Sequence, residues 1–438
     1  MIIVDTALER REAEGNPIRV GIVGAGYMGR GIAQQLLTPI TGMRLVAVSN
    51  RNVELAERAF REGGIDNPRT CTTLEQLERS IDRGEPAVCG DAGLLCQAPG
   101  IDVLIETTGH IEFASGVALA AIAAGKHLVL VNAELDATIG PVLKEYARRA
   151  GVVLTNVDGD EPGVAMNLLR FVRTIGYQPV MAGNIKGFIN RHRNPDTQRE
   201  FAAKNNQQPA MITSFADGTK LSMEAAILAN ATGFGVGQRG MFGHACGHVK
   251  DVLQHFQADD LLASGGLVDY VLGAEPGTGA FVVGYNENPI KQQYMRYFKM
   301  GDGPLYCFYT PYHLPHLQVA VTVARATLFH DAAVTPLGPP RCDVVAVAKR
   351  GLKAGETLDG IGGFTCYGTI DNADTARQEN LLPMGLSEGC RVVRDVPQDR
   401  ALCRDDVELP PDRVSDRLRT EQDTMFAESP AAAAAVGM

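Results

Sequence analysis

The chain has 438 residues, of which 45% are hydrophobic and 21% charged, and its formal net charge at pH 7 is −10. This length allows two or three domains with their own cores, and the composition is that of an ordinary globular protein. The negative charge, without a long basic segment, disfavours nucleic acid and membrane surfaces as partners. Nine cysteines without CxxC spacing, and an N-terminal segment without an apolar signal core, lead us to expect a cytoplasmic protein without membrane spans.

A glycine-rich turn follows the first predicted strand. Residues 18–23 form a β-branched run, a helical pattern follows, and Gly24, Gly26 and Gly29 lie between them with the spacing GxGxxG. In a dinucleotide-binding turn these glycines allow the tight turn, the approach of the pyrophosphate and the packing of helix on strand. A bare tight turn is the alternative, but a second strand, MRLVAVSN, follows at the distance that a βαβ unit requires. The sequence therefore predicts a Rossmann turn whose cofactor contacts are Gly24, Gly26, Tyr27, Met28 and Gly29.

The second predicted strand ends in Ser49, Asn50 and Arg51. It lacks the carboxylate that usually binds the adenosine ribose of NAD. A guanidinium group at this position suits the 2′-phosphate of NADP, because the two can form charge-assisted hydrogen bonds. The alternative is a solvated arginine at the start of the next helix. We expect NADPH to be the preferred cofactor, with Asn50 and Arg51 among its contacts.

Strands and helices alternate as far as residue 158. The segments IDVLIETTGH, HLVLVNAE and VVLTNVDGD are predicted strands, whereas residues 84–100 are interpreted as an insertion rich in Gly, Asp, Pro and Cys. The fold class is therefore α/β, with a doubly wound parallel Rossmann sheet. The carboxyl ends of such strands line the ligand crevice. Further cofactor contacts are therefore expected from Thr107, Thr108, Gly109 and Asn132.

The alternation stops after the last of these strands. Less regular strands and helices follow, typical of an α+β substrate and dimerisation domain, and then short β segments punctuated by Gly and Pro. The C-terminal stretch PAAAAAVGM is expected to be disordered. The predicted division is an N-terminal extension 1–16, a Rossmann domain 17–160, a substrate domain 161–335, a β-rich domain 340–410 and a C-terminal tail 411–438.

Three acids lie close together in VDGDEPGV, after the last predicted Rossmann strand. Asp158, Asp160 and Glu161 could hold Mg²⁺ or Mn²⁺, since these ions prefer oxygen ligands, and the ion would stabilise an alkoxide or enediolate. Acids before Pro162 are equally good helix caps and first-turn residues. Metal binding and a capping or acid/base role, the latter for Glu161, both stay open.

Basic residues are concentrated in NIKGFINRHRNP, after a probable strand. On a strand, Arg191 and Arg193 would point to one face, where two planar guanidinium groups suit a phosphate or carboxylate. Together with Lys186 and Asn190 they form the predicted substrate-binding set. The alternative is a solvated edge strand that its charges protect from aggregation. The histidines of YHLPHL, by contrast, are interpreted as packing residues.

Two segments resemble known domains. The N-terminal part resembles homoserine dehydrogenase, and VVAVAKRGLKAGETLDG with RDDVEL resembles a SAF domain, a small β-clip fold. Together, over residues 17–410, they resemble the deoxyxylulose-phosphate reductoisomerase-like family. This resemblance implies an NADPH-dependent oxidoreductase that converts 1-deoxy-D-xylulose 5-phosphate to 2-C-methyl-D-erythritol 4-phosphate in isoprenoid precursor synthesis. It also implies pairing of subunits through the substrate domain, so a homodimer or larger homo-oligomer is expected.

The resemblance also bears on the catalytic lysine. Homoserine dehydrogenases carry one in an Ala-Asn-Lys motif, whereas this chain has Ala133 to Asp136 there, so homoserine oxidation by that machinery is not expected. A second family lysine, preceded by Asp, has its counterpart in Asp217 and Lys220, one residue closer together. Lys220 is therefore the candidate that polarises a carbonyl oxygen and passes it a proton, with Asp217 beside it. A solvated lysine at a helix start is the alternative.

Three functions remain open on these residues. The first is the reductoisomerase reaction, and the second is oxidation or reduction of another sugar acid or semialdehyde by the same apparatus. The third is an NADP-binding sensor that performs no chemistry. The carboxylates, Lys220 and the paired arginines exceed what a sensor requires, so we favour an enzyme with a small-molecule substrate.

Overall fold

The computed structural model describes residues 4–427. The strands, in chain order, are β1 Ile18–Val23, β2 Met43–Ser49, β3 Arg69–Thr70, β4 Ala87–Cys89, β5 Val103–Glu106, β6 His127–Leu130, β7 Leu154–Asn156, β8 Gln178–Lys186, β9 His244–Ala245, β10 Leu267–Leu272, β11 Ala280–Tyr285, β12 Leu305–Thr310, β13 Cys342–Ala348, β14 Cys366–Asn372, β15 Arg391–Val392 and β16 Val407–Glu408. The α-helices are α1 Asp5–Ala13, α2 Tyr27–Leu37, α3 Val53–Glu62, α4 Leu74–Asp82, α5 Ala92–Gln97, α6 Ile111–Ala123, α7 Ala133–Ala150, α8 Glu161–Thr174, α9 Pro195–Lys204, α10 Pro209–Ala216, α11 Thr219–Thr232, α12 Ala258–Ala263, α13 Pro289–Tyr297, α14 Val319–Phe329, α15 Ala373–Gln378 and α16 Val414–Ala427. Short 3₁₀ helices span Val249–Gln254, Met384–Leu386 and Arg404–Asp406.

The chain divides into two compact units. The first unit ends at Asp160 and also takes in Leu314–Thr335, whereas the second contains Glu161–His313 and begins again at Pro336. Helix α14 therefore belongs to the first unit, although the sequence placed it at the end of the substrate domain. The β-rich segment predicted as a separate domain falls within the second unit.

The first unit is built on a seven-stranded sheet with the order β3-β4-β2-β1-β5-β6-β7. All neighbouring strands are parallel. Strand β1 lies near the centre and is buried at every position except Arg19, as parallel strands covered on both faces require. The predicted doubly wound α/β class is confirmed. The predicted insertion is wrong, because residues 84–100 supply β4, which lies between β2 and β3, and α5.

The second unit is built on a mixed five-stranded sheet with the order β12-β11-β8-β10-β9. Strand β8 is central, runs parallel to β10 and antiparallel to β11, and ends at Lys186. Helices α8 and α11 contact it. All residues of α11 are buried, so any charged side chain in this helix needs a partner inside the unit.

The C-terminal part of the second unit pairs β13 with β14 and β15 with β16, both antiparallel. Whether this segment is a SAF domain stays a prediction. Residues 414–427, predicted as part of a tail, form helix α16, whose buried Arg419 is paired with Asp343. The stretch expected to be disordered, 430–438, lies outside the described residues.

The N-terminal segment predicted as an extension contains helix α1. Glu12 in this helix accepts hydrogen bonds from the backbone of Gly42 at 2.8 Å and from the Arg44 guanidinium at 2.5 Å. The segment is thus anchored to the start of β2. Among residues 4–427, no helix has both the length and the apolar character that crossing a membrane requires.

Candidate functional site

The glycine turn of the first unit has the geometry of a dinucleotide-binding turn. Gly24 has a φ of +102°, which favours glycine, and a Cβ at Gly29 would lie 2.1 Å from the Gly24 carbonyl oxygen. A Cβ at Gly26 would meet nothing within 4 Å. The turn is therefore closed on the side of the sheet and open at Gly26, where a pyrophosphate would approach the N-terminus of α2.

The first turn of α2 borders an open cleft of about 250 Å³. Tyr27 begins the helix with about half of its side chain exposed, and Met28 follows it along the same cleft. Arg30, three positions after Tyr27 in α2, donates a hydrogen bond to the Ala25 carbonyl oxygen at 3.1 Å and pairs with Glu62. Tyr27 and Met28 therefore lie at the helix end that the cofactor prediction requires, and their contact with it stays a prediction.

The two residues after β2 play different parts. The Asn50 side chain accepts a hydrogen bond from the Ala25 backbone at 3.1 Å and donates one to the Asn52 carbonyl at 2.8 Å. Asn50 thus braces the glycine turn. Arg51 is exposed and forms no hydrogen bond or ion pair within residues 4–427. Its guanidinium group is available to an incoming phosphate.

The carboxyl end of β5 shapes the other side of the turn. The Thr107 hydroxyl donates to the carbonyl oxygens of Val23 at 3.1 Å and Gly24 at 2.9 Å. Thr108 donates to the buried Glu106 carboxylate through its backbone at 2.7 Å and also through its hydroxyl. Burial raises the pKa of Glu106, although the Thr108 bonds oppose this. The predicted residues Thr107 and Thr108 therefore position the loop.

Two other predicted cofactor contacts are backbone determinants. Gly109 has a φ of +69°, which turns the chain after β5 into α6. The Asn132 side chain caps α7 by accepting a hydrogen bond from the Leu135 backbone at 3.1 Å. In the same helix, Asp136 is buried. Burial raises the pKa of Asp136 to about 7 despite a hydrogen bond from Asn156.

The predicted metal ligand Asp158 carries a cationic partner within the first unit. Its carboxylate lies 2.6 Å from the Arg325 guanidinium of helix α14, and both side chains are almost fully buried. Arg325 also pairs with Asp331 at 2.6 Å. Asp158 is not among the acids that could share an ion in the described part of the chain, whereas the predicted ligands Asp160 and Glu161, both buried, are. A buried acid of this kind fastens a helix to the sheet.

The second unit brings two buried carboxylates together around one ammonium group. Oxygens of Glu161, at the start of α8, and Glu224, in α11, lie within 4.8 Å of one another. The Lys186 Nζ, at the end of β8, lies 2.5 Å from Glu161 Oε1 and 3.3 Å from Glu224 Oε2. Asn184, two positions earlier on the same strand face, donates to Glu224 Oε2 at 3.1 Å. We call Glu161, Asn184, Lys186 and Glu224 the carboxylate cluster.

A histidine extends the carboxylate cluster. His313, which follows β12, places its Nε2 3.7 Å from Glu161 Oε2. Its Nδ1 lies 3.0 Å from the Thr278 hydroxyl. The side chains of Lys186 and His313 are 21% and 29% exposed, whereas Glu161 and Glu224 are at most 3% exposed. Lys186 and His313 are therefore the partly exposed side chains of this group, and the two carboxylates are its buried ones.

The charged groups around Glu161 stabilise one another's charged forms. Burial favours the neutral form of Glu161, but Lys186 and His313 outweigh it and hold the pKa of Glu161 at about 2. Burial likewise disfavours the charged form of Lys186, but Glu161 and Glu224 raise the pKa of its ammonium group. Lys186 is therefore a permanent cation that can donate hydrogen bonds over the whole working range of pH.

The predicted catalytic pair takes up a different environment. Asp217 accepts hydrogen bonds from the Lys349 ammonium at 2.9 Å and from the Thr219 backbone at 2.9 Å. Lys349 also donates to the Gly363 carbonyl at 2.7 Å, so this buried ion pair joins the start of α11 to the β13–β14 segment. Lys220 is 8% exposed at the start of α11. The catalytic roles of Asp217 and Lys220 stay predictions.

The predicted strand position of the paired arginines is wrong. Strand β8 ends at Lys186, and Arg191 and Arg193 lie in the turn that follows. The Arg191 guanidinium stacks over Tyr367 at 5.8 Å, and that of Arg193 over Phe188 at 5.5 Å. Asn190 accepts a hydrogen bond from the His192 backbone at 3.1 Å. The Nε of Arg193 is buried and has no hydrogen-bond partner in the described part of the chain, and the substrate role of both arginines stays a prediction.

Sequence reasoning missed Asn184, Glu224, Thr278 and His313. Glu224 lies in the apolar helix SMEAAILANA and Asn184 in the apolar strand VMAGN, and a polar residue in such a run must find a buried partner. That signal could have selected both. The sequence predicts that both histidines of YHLPHL are packing residues. Nothing local shows that Glu161, 152 positions earlier, lies 3.7 Å from His313.

Two family models match consecutive parts of the chain. Residues 24–155 match "Homoserine dehydrogenase, NAD binding domain", and residues 159–319 match "Oxidoreductase DRL, catalytic domain". The first range contains the glycine turn, and the second contains the whole carboxylate cluster and His313. The chain therefore has an NAD-type dinucleotide-binding domain followed by an oxidoreductase catalytic domain.

Curated relatives are similar over part of their length. Homoserine dehydrogenase from Pseudomonas aeruginosa is 30% identical over 32% of this chain and 28% of its own. The 1-deoxy-D-xylulose 5-phosphate reductoisomerase from Halalkalibacterium halodurans is 30% identical over 33% of this chain and 39% of its own. The match thus spans between a quarter and two fifths of these relatives. Among solved structures, a probable dehydrogenase from Thermotoga maritima superposes with a TM-score of 0.43 and 12% identity, over 73% of this chain and 91% of its own.

Proposed function

We propose that this protein is an NADPH-dependent reductoisomerase that converts 1-deoxy-D-xylulose 5-phosphate to 2-C-methyl-D-erythritol 4-phosphate. The observation that carries the chemistry is the Lys186 ammonium, which is fixed between two buried carboxylates on a side chain that is 21% exposed. It lies within the range that matches an oxidoreductase catalytic domain. The choice of substrate is supported by the similarity to curated reductoisomerases at about 30% identity.

The bound dinucleotide would supply hydride to a carbonyl carbon. Negative charge then develops on the carbonyl oxygen, and a preorganised donor at that oxygen lowers the barrier. The Lys186 ammonium is such a donor, because Glu161 and Glu224 engage two of its hydrogens. The third hydrogen has no partner within residues 4–427, so it is available to the substrate oxygen.

His313 is placed to move a proton. Its ring lies between the Thr278 hydroxyl and the Glu161 carboxylate, and it is partly exposed. An imidazole with a carboxylate on one side can accept a proton from a substrate hydroxyl and return it to the alkoxide. In the overall reaction the carbon skeleton rearranges without loss of atoms, and hydride plus one proton then convert the rearranged aldehyde to an alcohol.

The substrate phosphate would bind at the turn after β8. Arg191 and Arg193 both lie in this turn, each stacked over an aromatic ring, and the turn follows Lys186 directly in the chain. Anchoring the phosphate would fix the carbonyl near the ammonium, and positioning of this kind supplies several kcal/mol of barrier lowering, in favourable cases about 7 to 11. Oxidation or reduction of another sugar acid or semialdehyde by the same cluster is the competing reaction.

The proposed reaction is tested by complementation of a bacterium whose own reductoisomerase gene is deleted. We expect growth without added methylerythritol when the chain is expressed, and NADPH oxidation by the purified protein on 1-deoxy-D-xylulose 5-phosphate. Soluble protein that neither restores growth nor consumes NADPH on this substrate contradicts the assignment. Turnover of a sugar acid or semialdehyde in a substrate panel would then identify the competing enzyme, and NADPH binding without turnover the sensor.

The preference for NADPH is tested by Arg51→Ala. We expect this change to weaken NADPH binding about tenfold to a hundredfold, because a charge-assisted hydrogen bond contributes about 1.5 to 3 kcal/mol. NADH binding should stay unchanged, since NADH has no 2′-phosphate. Dissociation constants follow from titrations of nicotinamide fluorescence. A wild-type protein that binds both cofactors equally well would show that Arg51 is only a solvated helix-start residue.

A further inference from the structure

The C-terminal β segment, from β13 to β16, contacts the turn after β8, residues 187–194. We propose that this segment is part of the substrate site. In it, Tyr367 of β14 is the positioning residue that holds the Arg191 guanidinium group ready for an anionic group of the substrate. The substrate role of Arg191 rests on the proposed function, whereas the contacts between the two segments are independent of it. Both segments belong to the second unit.

Residues of β14 border the Arg191 guanidinium group. Its central carbon lies 5.8 Å from the centre of the Tyr367 ring, and Tyr367 is 3% exposed. A Cβ at Gly240 would lie 2.8 Å from an Arg191 terminal nitrogen and also 2.8 Å from the Thr369 hydroxyl oxygen. The Gly240 backbone in turn donates a hydrogen bond to the Ile370 carbonyl oxygen at 2.8 Å. The position of the guanidinium group is therefore set by a buried ring and by backbone atoms.

A second contact fixes the same turn at its next residue. The Asp399 Oδ1 lies 2.9 Å from His192 Nε2 and accepts a hydrogen bond from the Tyr367 hydroxyl at 3.3 Å. The His192 ring lies edge-on to the Tyr367 ring, with the centroids 6.5 Å apart. The Asp399 backbone donates to the Ala348 carbonyl oxygen of β13 at 2.8 Å. Asp399 thus connects Tyr367 with His192 and fastens both to β13.

The arginines of this turn have no acid partner within residues 4–427. Arg191 is exposed and forms no ion pair there. Arg193 is half-buried, and its Nε is buried without a hydrogen-bond partner. Buried guanidinium groups elsewhere in the chain are paired, that of Arg325 with two acids and that of Arg419 with Asp343. Two guanidinium groups without acids, two positions apart, attract an anion, and their planar forks suit a phosphate or carboxylate.

Holding the arginine in place beforehand favours binding of the anion. A free arginine side chain loses rotamer freedom when it binds an anion, and that loss weakens the complex. The Tyr367 ring restricts Arg191 before the anion arrives, so less freedom remains to be lost. Removal of the ring should therefore weaken anion binding, although the charge of Arg191 is retained.

The probe is inorganic phosphate, whose phosphorus nuclear magnetic resonance signal broadens when it binds to the protein. The glycine turn is first filled with the nicotinamide cofactor, so that phosphate cannot bind there. Arg191→Ala should raise the Kd for phosphate about tenfold or more, because a charge-assisted hydrogen bond is lost. Tyr367→Leu should raise it about twofold to thirtyfold, the range for one cation–π contact. Tyr367→Phe retains the ring and should recover most of the affinity.

Two exposed aspartates provide a matched pair of variants that leave the buried ring in place. Asp399 and Asp412 have φ values of +60° and +61°, so glycine replaces either one without backbone strain. Asp399→Gly removes the contacts with His192 and Tyr367, and it should raise the Kd for phosphate about twofold to tenfold. The Asp412 side chain forms no hydrogen bond or ion pair within the described residues. Asp412→Gly should therefore leave phosphate binding unchanged.

Two results would overturn the positioning role. The first is weaker phosphate binding in Arg191→Ala, together with wild-type affinity in folded Tyr367→Leu and in Asp399→Gly. The second is a wild-type protein that binds no phosphate, or binds it equally well after Arg191→Ala, because the turn then holds no anion site. Asp399→Gly keeps the test open if Tyr367→Leu does not fold, since Asp399 is about half exposed.

These titrations use no substrate, so they separate the two proposals. Phosphate binding that depends on Tyr367, together with failed complementation, would uphold the positioning role and reject the reductoisomerase. Successful complementation with phosphate binding that is independent of Tyr367 would do the reverse. In the active enzyme, Tyr367→Leu should raise KM for the phosphorylated substrate more than it lowers kcat, and Tyr367→Phe should restore KM.

Discussion

Replacement of Lys186 by methionine should lower kcat for NADPH oxidation by about two to three orders of magnitude, the usual loss when one donor to a developing oxyanion is removed. Methionine retains most of the length of the side chain but donates no hydrogen bond. The Kd for NADPH should stay the same, because the glycine turn that binds it is built by other elements. Steady-state rates on 1-deoxy-D-xylulose 5-phosphate and fluorescence titrations of NADPH measure the two quantities.

The matched control is Lys220→Met, the same change at the lysine that the family resemblance selected. Lys220 is 8% exposed at the start of α11, whereas the Lys186 side chain is 21% exposed and is held by two carboxylates. A much larger loss of kcat in Lys186→Met assigns the donor to Lys186. The reverse ranking would assign it to Lys220 and leave Lys186 as a structural cation. Lys186→Arg retains the charge and should recover part of the rate if the cation itself matters.

Lys349→Met should lower the free energy of unfolding of the second unit by about 3 to 5 kcal/mol, because it leaves the carboxylate of Asp217 buried and uncompensated. The ion pair has an N–O distance of 2.9 Å, and its side chains are 3% and 0% exposed. Lys349 also holds the Gly363 carbonyl, which loses its partner. Urea unfolding followed by far-ultraviolet circular dichroism measures the loss, since the chain contains no tryptophan.

Two further variants separate the loss of this buried ion pair from a general effect of replacing a lysine by methionine. Lys353→Met breaks an ion pair with Asp395 whose side chains are 75% and 60% exposed, and it should leave the unfolding midpoint unchanged. The double change of Lys349→Met with Asp217→Asn should recover part of the lost stability, because the buried charge is then absent. If Asp217→Asn instead abolishes turnover in a protein of wild-type stability, Asp217 is catalytic, as the resemblance implied.

Local sequence signals determined the glycine turn and most strands of the first unit. Glycines spaced as GxGxxG after a β-branched run are readable from the sequence because their roles are fulfilled within six residues: Gly24 has a positive φ, and Gly29 packs against the Gly24 carbonyl. Apolar runs such as VLIE and HLVL predict buried parallel strands, since both faces of the sheet are covered. The prediction that residues 84–100 are an insertion is wrong because this segment carries no such local signal. Its strand Ala87–Cys89 has only three residues, which are too few to show the alternating pattern of a strand.

The sequence also supplied the right residue types for the site, but it assigned some of them to the wrong partners. Asp158, Asp160 and Glu161 are predicted as one set because they are neighbours in the chain, and only Asp160 and Glu161 stay in one group of acids. In the fold, Asp158 pairs with Arg325, 167 positions away, and Glu161 pairs with Lys186 at the end of strand β8. Asp217 was likewise grouped with Lys220, and its partner is Lys349. A buried charged side chain pairs with the opposite charge that the fold places beside it, however far apart the two residues are in the sequence.

The sequence by itself thus determined the Rossmann sheet and the glycine turn, because backbone sterics and local periodicity act over a few residues. The absence of an acid after β2 is read directly from the residue types. Only the tertiary structure decided which cation serves the two buried carboxylates. Lys186 reaches Glu161 and Glu224 because strand β8 is central in its sheet and α8 and α11 contact it. No local pattern encodes that arrangement, since the energy of a buried charge depends on what packs around it from distant parts of the chain.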